Sequence, residues 1–315
     1  MIAPWALRRR MMATLGGVDV ANLLIQGSCT FTDYGVVTMG NGNDYRLLAI
    51  TQSGNLAIFE PDGILTCPVN CEVCVVGGGA NGSRAGGAGG YLKNQVIADY
   101  SGGAIVVGAA QGVSSIGDIS VAAVSGKNGG TGGGSAGTLK YHYSSTTGTT
   151  YSSETQYPGT GDGLSKYPFQ DETYSLWSGK PHCAGGGGGY ESGYDEFQET
   201  TKNQAGGNGG SNGSNGLTGE YGSSAYGQGG IYGGGNANSY KADNATYYGS
   251  GGGGIPDRHY QETHTPGSGY QGIVYVRIPI NQSLLAAKGA IRNEICSSKG
   301  QFCDQCTGRR CSAEE

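Results

Sequence analysis

Charge is scarce in this chain. Only 14% of its 315 residues are Asp, Glu, Lys or Arg, and the net charge is −5. A chain held open by self-repulsion needs far more than that, so charge-driven disorder is excluded. Basic clusters are equally few: Arg8-Arg9-Arg10 and Arg309-Arg310 lie at opposite ends. Without a basic face to meet phosphates, no nucleic-acid partner is expected. No apolar run approaches the ~20 residues that span a bilayer, so membrane insertion is not expected either. The N-terminus has three arginines after Trp5-Ala6-Leu7 and no apolar stretch behind them, which is not the pattern of a signal peptide.

Ordinary core-forming residues are also thin on the ground. Hydrophobic residues reach 36%, so a conventional side-chain core occupies only part of the chain. Nine cysteines, an odd number, with no signal peptide do not make a disulfide framework. Nine prolines and no strict G-X-Y period exclude collagen.

Glycine is what the chain has in excess: 64 residues, of which 53 lie between Gly77 and Gly272. Before Gly77 the texture is that of strands. Thr30-Phe31-Thr32, Val36-Val37-Thr38, Tyr45 to Ile50, Asn55 to Glu60 and Cys71 to Val76 are β-prone and punctuated by glycine. Tyr45 to Ile50 and Asn55 to Glu60 read as a hairpin around Thr51-Gln52-Ser53-Gly54, with Gly54 supplying a positive φ. Short strands continue at Tyr91 to Ile97, Ala104 to Gly108 and Asp118 to Val124, and a strong one returns at Ile273 to Ile278. The simplest topology closes one sheet system with the first and last strands and inserts the glycine region between them. Two helices are expected, one within residues 1–25 with Leu7, Met11 and Leu15 on one side, one over 283–293.

Repeated glycine has two fates. Isolated, it stays loose, because ordering it costs the most backbone entropy. Packed side by side, bare chains approach closely, and extended threefold helices pair their N–H and C=O groups with neighbours. The division expected is therefore residues 1–27 as an attachment segment, 28–280 as a glycine-rich β domain with a long insert over 125–270, and 281–315 as a short helix with a cysteine-rich tail.

Several motifs invite chemistry. Gly77, Gly79 and Gly82 fit G-x-G-x-x-G after a strand, and Asp99 follows at about the right distance for a dinucleotide site. Such a site needs a helix next, and Gly86, Gly87, Gly89 and Gly90 oppose one, each costing about 1 kcal/mol inside a helix. Cys71 and Cys74 sit three apart in a strand and so face opposite ways, as small buried residues rather than a metal pair. His182-Cys183 suggests a nucleophile pair, but no third member is identifiable, and both read as loop residues. The tail thiols Cys296, Cys303, Cys306 and Cys311 leave three states open: one structural zinc, disulfides, or free thiols. No cofactor beyond that zinc is expected, and no catalytic constellation stands out.

Tyrosine is the clearest functional signal. Of 21 tyrosines, 17 fall between Tyr141 and Tyr275, among Gly, Ser and Asn. Tyr offers rigid amphipathic contact area while Ser, Gly and Asn adapt around it, the composition of binding surfaces. The candidate contacts are Tyr190, Tyr194, Tyr221, Tyr226, Tyr232, Tyr240, Tyr247 and Tyr248.

Tyr45-Arg46-Leu47-Leu48-Ala49-Ile50 through Gly54, Val75-Val76-Gly77-Gly78-Gly79, Val106-Val107-Gly108-Ala109 and Gly267-Ser268-Gly269 to Arg277 follow one another over roughly residues 28–280. In this order they resemble the glycine-rich domain of phage tail fibres and tail-tip adhesins, a region also similar to one in the anaplastic lymphoma kinase receptor. The resemblance implies a mainly β fold: a jelly-roll-like β-sandwich from which glycine loops project, in some relatives as packed polyglycine II helices. It implies a non-enzymatic virion protein, assembled in the host cytoplasm, whose loop tips contact a bacterial surface glycan or outer protein. Its partners would be other tail proteins, and a homotrimer is one assembly open to it. The alternative is a purely structural virion subunit, such as a fibre shaft, decoration or tail-associated protein. Residues 141–182, poor in glycine runs, and the cysteine tail depart from the pattern.

Overall fold

The computed structural model describes residues 18–83, 86–121, 139–144, 148–153, 167–187, 191–195, 200–204, 228–230, 233–238, 241–255 and 264–280. One compact unit spans Val20–Ile280. Both expected helices and the four tail cysteines fall outside the described residues.

The described chain is almost entirely β. In order come β1 (Leu24–Gly27), β2 (Phe31–Thr38), β3 (Asp44–Ile50), β4 (Gly54–Phe59), β5 (Val69–Val76), β6 (Leu92–Tyr100), β7 (Gly102–Val106), β8 (Ser114–Ile116) and β9 (Ile119–Val121). Two hairpins follow, β10 (Leu139–Ser144) with β11 (Gly148–Ser153) and β12 (Glu191–Asp195) with β13 (Thr200–Gln204), and then β14 (Ile273–Pro279). Only short 3₁₀ turns at Val20–Asn22 and Pro168–Gln170 are helical among the described residues, and no helix there is long and apolar enough to cross a membrane.

The strands form two five-stranded antiparallel sheets, ordered β1-β4-β7-β8-β9 and β2-β3-β14-β5-β6. The last strand thus enters the centre of the second sheet between β3 and β5, with the glycine region inserted ahead of it. The expected hairpin over 45–60 does not form. β3 pairs with β2 and β14, whereas β4 leaves for the first sheet and pairs with β1 and β7. Residues 51–53 are a corner between sheets. Gly54 is required there because a Cβ would overlap the backbone of Cys29.

β5 and β14 of the second sheet contact β8 and β9 of the first. Its central strands are buried on both faces, the pattern of an interior sheet. Leu48, Ile50, Val73, Val75, Val274 and Val276 share one face by register. Leu47, Ala49, Cys74, Val76, Ile273 and Tyr275 make up the other, and they form a core with Trp177 and Cys183 from the glycine region. Cys71 and Cys74 do face opposite ways. Both are free and buried, and burial pushes the Cys71 thiol up to about 12.

The glycine segments pack against one another as extended threads. Their bonding repeats every three residues. The N–H groups of Gly77 and Ala80 donate to Tyr91 and Ala88, those of Gly79 and Gly82 to Tyr270 and Gly267, and that of Gly78 to Gly112. Residues three apart therefore meet the same neighbour, and successive residues meet different ones. The rule recurs with Gly87 and Gly90 on Gly252 and Gly249, with Gly251 and Gly254 on Ala184 and Gly187, and with Gly267 and Tyr270 on Gly253 and Ser250. A strand would alternate by two.

This packing explains the glycines. At Gly82, Gly86, Gly186, Gly251 and Gly267, a Cβ would overlap a carbonyl oxygen of the neighbouring thread. None of these positions has positive φ. Glycine is needed for closeness, and the hydrogen that replaces Cβ points at a carbonyl, a weak Cα–H···O contact. Gly82→Ala or Gly252→Ala must push threads apart and is expected to cost at least about 2 kcal/mol, as overpacking does. Thermal denaturation should show a fall of roughly 4–8 °C for a unit of this size. An unchanged midpoint would mean the threads are not in contact.

Candidate functional site

A strap over residues 167–183 covers the outer face of the second sheet, and it is pinned at both ends. Arg277 of β14 lies over the rings of Tyr45 and Phe169, at 4.4 and 4.2 Å, and pairs with Glu72 at 2.6 Å. A guanidinium held between two aromatic faces joins strap to sheet by cation–π attraction. Asp171 accepts from the Gly40 N–H at 2.7 Å and from Thr173 and Tyr174 within the strap. Burial opposes the charge on Asp171, but these bonds outweigh it and lower its pKa. Trp177, fully buried, donates Nε1–H to the Asp171 carbonyl and meets Tyr174 and Tyr275 edge-on at 4.8 and 5.3 Å.

The strap delivers His182, 1% exposed, into a ring of tyrosines. Tyr247, Tyr275 and Tyr248 lie 4.8, 5.7 and 6.1 Å from its imidazole. Its Nε2 is 3.0 Å from the Tyr275 hydroxyl, and its Nδ1 has no partner. The imidazole and the phenol share one buried hydrogen bond, whose donor is set by the imidazole tautomer.

Beside this cluster is a recess of about 250 Å³. Tyr247 and Tyr248 line it from the glycine region, and Tyr275, Ala49, Thr32 and Tyr34 from the second sheet; Lys180 and Leu176 come from the strap. Tyr34 is placed by a β-bulge. Asp33 pairs with Leu48 and Val36 with Arg46, so one extra residue is accommodated at Tyr34-Gly35. Gly35 takes φ +67° and donates to Asp33 Oδ1 at 2.9 Å. The bulge keeps Thr32 and Tyr34 on the recess side while returning Val37 to the aromatic core, the re-aiming that bulges provide beside sites. Asp33 on the opposite face holds Arg46 at 2.6 Å, which fixes the bulge from beneath.

Apart from Lys180, the recess and the cluster behind it carry neutral hydrogen-bonding groups. Burial pushes the Tyr247 phenol up to about 12, and Tyr248 and Tyr34 beside it add to the rise. The Tyr248 and Tyr275 phenols are raised too, burial being the largest cause in each. Burial alone brings the His182 imidazole down to about 3. Phenols that stay protonated and an imidazole that stays neutral can donate and accept hydrogen bonds, but they carry no charge change near pH 7.

Of the eight tyrosines expected as contacts, the structure brings Tyr247 and Tyr248 to this recess. Tyr194 lies in β12, and Tyr190, Tyr221, Tyr226, Tyr232 and Tyr240 fall outside the described residues. The sequence reading missed Tyr34, Lys180 and Tyr275, and took His182 and Cys183 for loop residues although both are buried in the core. Asp33-Tyr34-Gly35, a bulge signal within a β-prone run, was the one available cue. The G-x-G-x-x-G segment is an extended thread whose N–H groups at Gly77, Gly78, Gly79, Ala80 and Gly82 are all donated to protein carbonyls. Among the described residues, no cluster of three or more His, Cys, Asp or Glu is arranged to hold a metal. No family model matches the chain, nor does any curated protein or solved structure.

The buried histidine has a pH signature. Its folded pKa near 3 lies below the unfolded value of 6.5. Above pH 6.5 both states are neutral and its contribution is complete. Below it the unfolded chain takes up a proton that the folded chain refuses, so stability falls until pH reaches about 3. The slope is about 1.4 kcal/mol per pH unit within that window. Urea denaturation at pH 7.5, 5.5 and 4.5 should show His182→Gln losing less stability on acidification than the wild type, by roughly that slope. Parallel pH profiles would show that His182 ionises freely in the folded protein.

Proposed function

We propose that this chain is a non-enzymatic phage virion protein, a tail fibre or tail-tip adhesin that attaches to a receptor on the bacterial surface. The observation that carries this reading is the recess itself. The glycine region brings Tyr247 and Tyr248 to it, and the strand frame supplies Tyr34 and Tyr275. Tyrosine is the residue most suited to forming contact hot spots with little entropy to lose. The shifted phenols and the neutral imidazole lack the near-neutral pKa that acid–base catalysis needs.

The finer architecture belongs to the same reading. The frame is a jelly-roll-like β-sandwich, supported by the contacts of β5 and β14 with β8 and β9 and by a chain that passes repeatedly between sheets. The threads are packed polyglycine II helices, supported by their threefold bonding, since that conformation has three residues per turn and leaves its backbone groups free for neighbours. Such a bundle holds a contact surface rigidly without a hydrophobic core beneath it. The protein joins other tail proteins in the virion.

Particles carrying Tyr247→Ala with Tyr248→Ala should retain normal protein content and morphology but adsorb to host cells at least about tenfold more slowly, the loss expected when central aromatic contacts are removed. Unchanged adsorption by intact particles would end the adhesin reading in favour of a purely structural virion subunit.

A further inference from the structure

Within the adhesin reading, on which this step rests, the recess is specific about what it accepts. Its volume, about 250 Å³, suits one sugar ring rather than an extended peptide. The Tyr247 and Tyr248 rings lie 5.4 Å apart at 53°, which gives two differently tilted aromatic surfaces. The C–H face of a pyranose is weakly positive, and an aromatic face is weakly negative.

Lys180 is the one charged residue lining the recess, and its ammonium has no carboxylate partner among the described residues. No Asp or Glu lines the recess to repel an anion. An unpaired ammonium beside aromatic faces asks for a negatively charged ring.

We propose that this recess is a subsite for one acidic pyranose, a hexuronate residue of a bacterial surface polysaccharide. The sugar ring lies against the Tyr247–Tyr248 pair, and its carboxylate meets the Lys180 ammonium.

The test uses the full chain with a galacturonate trisaccharide and a neutral galactose trisaccharide, read by saturation-transfer NMR and titration calorimetry. The wild type should bind the uronate at least about fivefold more tightly than the neutral sugar, with added salt narrowing the gap. Lys180→Ala, an exposed change that spares the core, should cost about tenfold in uronate affinity, as loss of a charge-assisted contact does, and leave neutral-sugar affinity unchanged. Tyr248→Ala should abolish saturation transfer from both sugars. If Tyr248→Ala fails to fold, the Lys180 comparison decides alone.

Absence of binding by either sugar, equal affinity for the two, or a Lys180→Ala variant that binds uronate normally would each overturn the proposal. Host adsorption by particles carrying the same changes separates this failure from that of the adhesin reading. Adsorption that needs Tyr248 without saccharide binding leaves an adhesin with a protein receptor. Adsorption indifferent to Tyr248 removes the adhesin reading itself.

Discussion

Backbone touching backbone is the constraint on which the outer half of this unit depends. In the glycine threads, each chain lies so close to the next that Cβ atoms have no room. Hydrogen bonds there contribute only about 1 kcal/mol each net. The arrangement holds because many such bonds form together. It also holds because the threads are anchored on the second sheet. Gly77 continues directly from β5, and Gly272 runs directly into β14. These two strands pair with each other, so the bundle is clamped where it begins and where it ends.

The same threads position the recess. Cys183 N–H donates to the Tyr248 carbonyl at 3.0 Å, and Gly249 N–H donates to Gln271 at 2.8 Å. Gly249 takes φ +71°, and a Cβ there would press on Cys183 Sγ and Val76 Cγ1. The turn after Tyr248 is therefore fixed against both the strap and β5. Tyr247 and Tyr248 are consequently not free loop residues, and their rings pack on His182 from a backbone already locked in place. Trp177 and Arg277 do the equivalent work for the strap, since each ties it to a strand side chain that cannot move without disturbing the second sheet.

Much of the frame was legible in the sequence, because strands announce themselves through β-branched and aromatic runs broken by glycine. β2, β3, β4, β5, β6, β7 and β14 all lie where those runs predict. Pairing was less legible. The Tyr45 to Glu60 stretch has the pattern of a hairpin, yet its halves join different sheets, because alternating burial tells which residues face inward and not which strand lies alongside. The threads show the limit most clearly. Their glycines mark where close packing occurs, but a chain without side chains carries no pattern to select its neighbour. The contact of Gly82 with Gly253 and that of Gly86 with Gly186 follow from the fold alone. His182 was misjudged for a related reason: its flanking glycines looked like a loop and are in fact the interior of the bundle.

The side chains of the recess appear where the threads stop being glycine. Tyr247 and Tyr248 precede Gly249, His182 and Cys183 precede Ala184-Gly185, and Tyr275 follows Gly272 by three residues. At the closest contacts between threads a Cβ would overlap a neighbouring carbonyl. The residues before Gly249, before Ala184 and after Gly272 meet over one patch of the second sheet, joined by the Cys183 N–H bond to Tyr248 and the Gly249 N–H bond to Gln271. A cluster of large polar aromatics is a direct consequence. Glycine keeps side chains out of the closest backbone contacts of the bundle, and the aromatic cluster lies at its border with the strands.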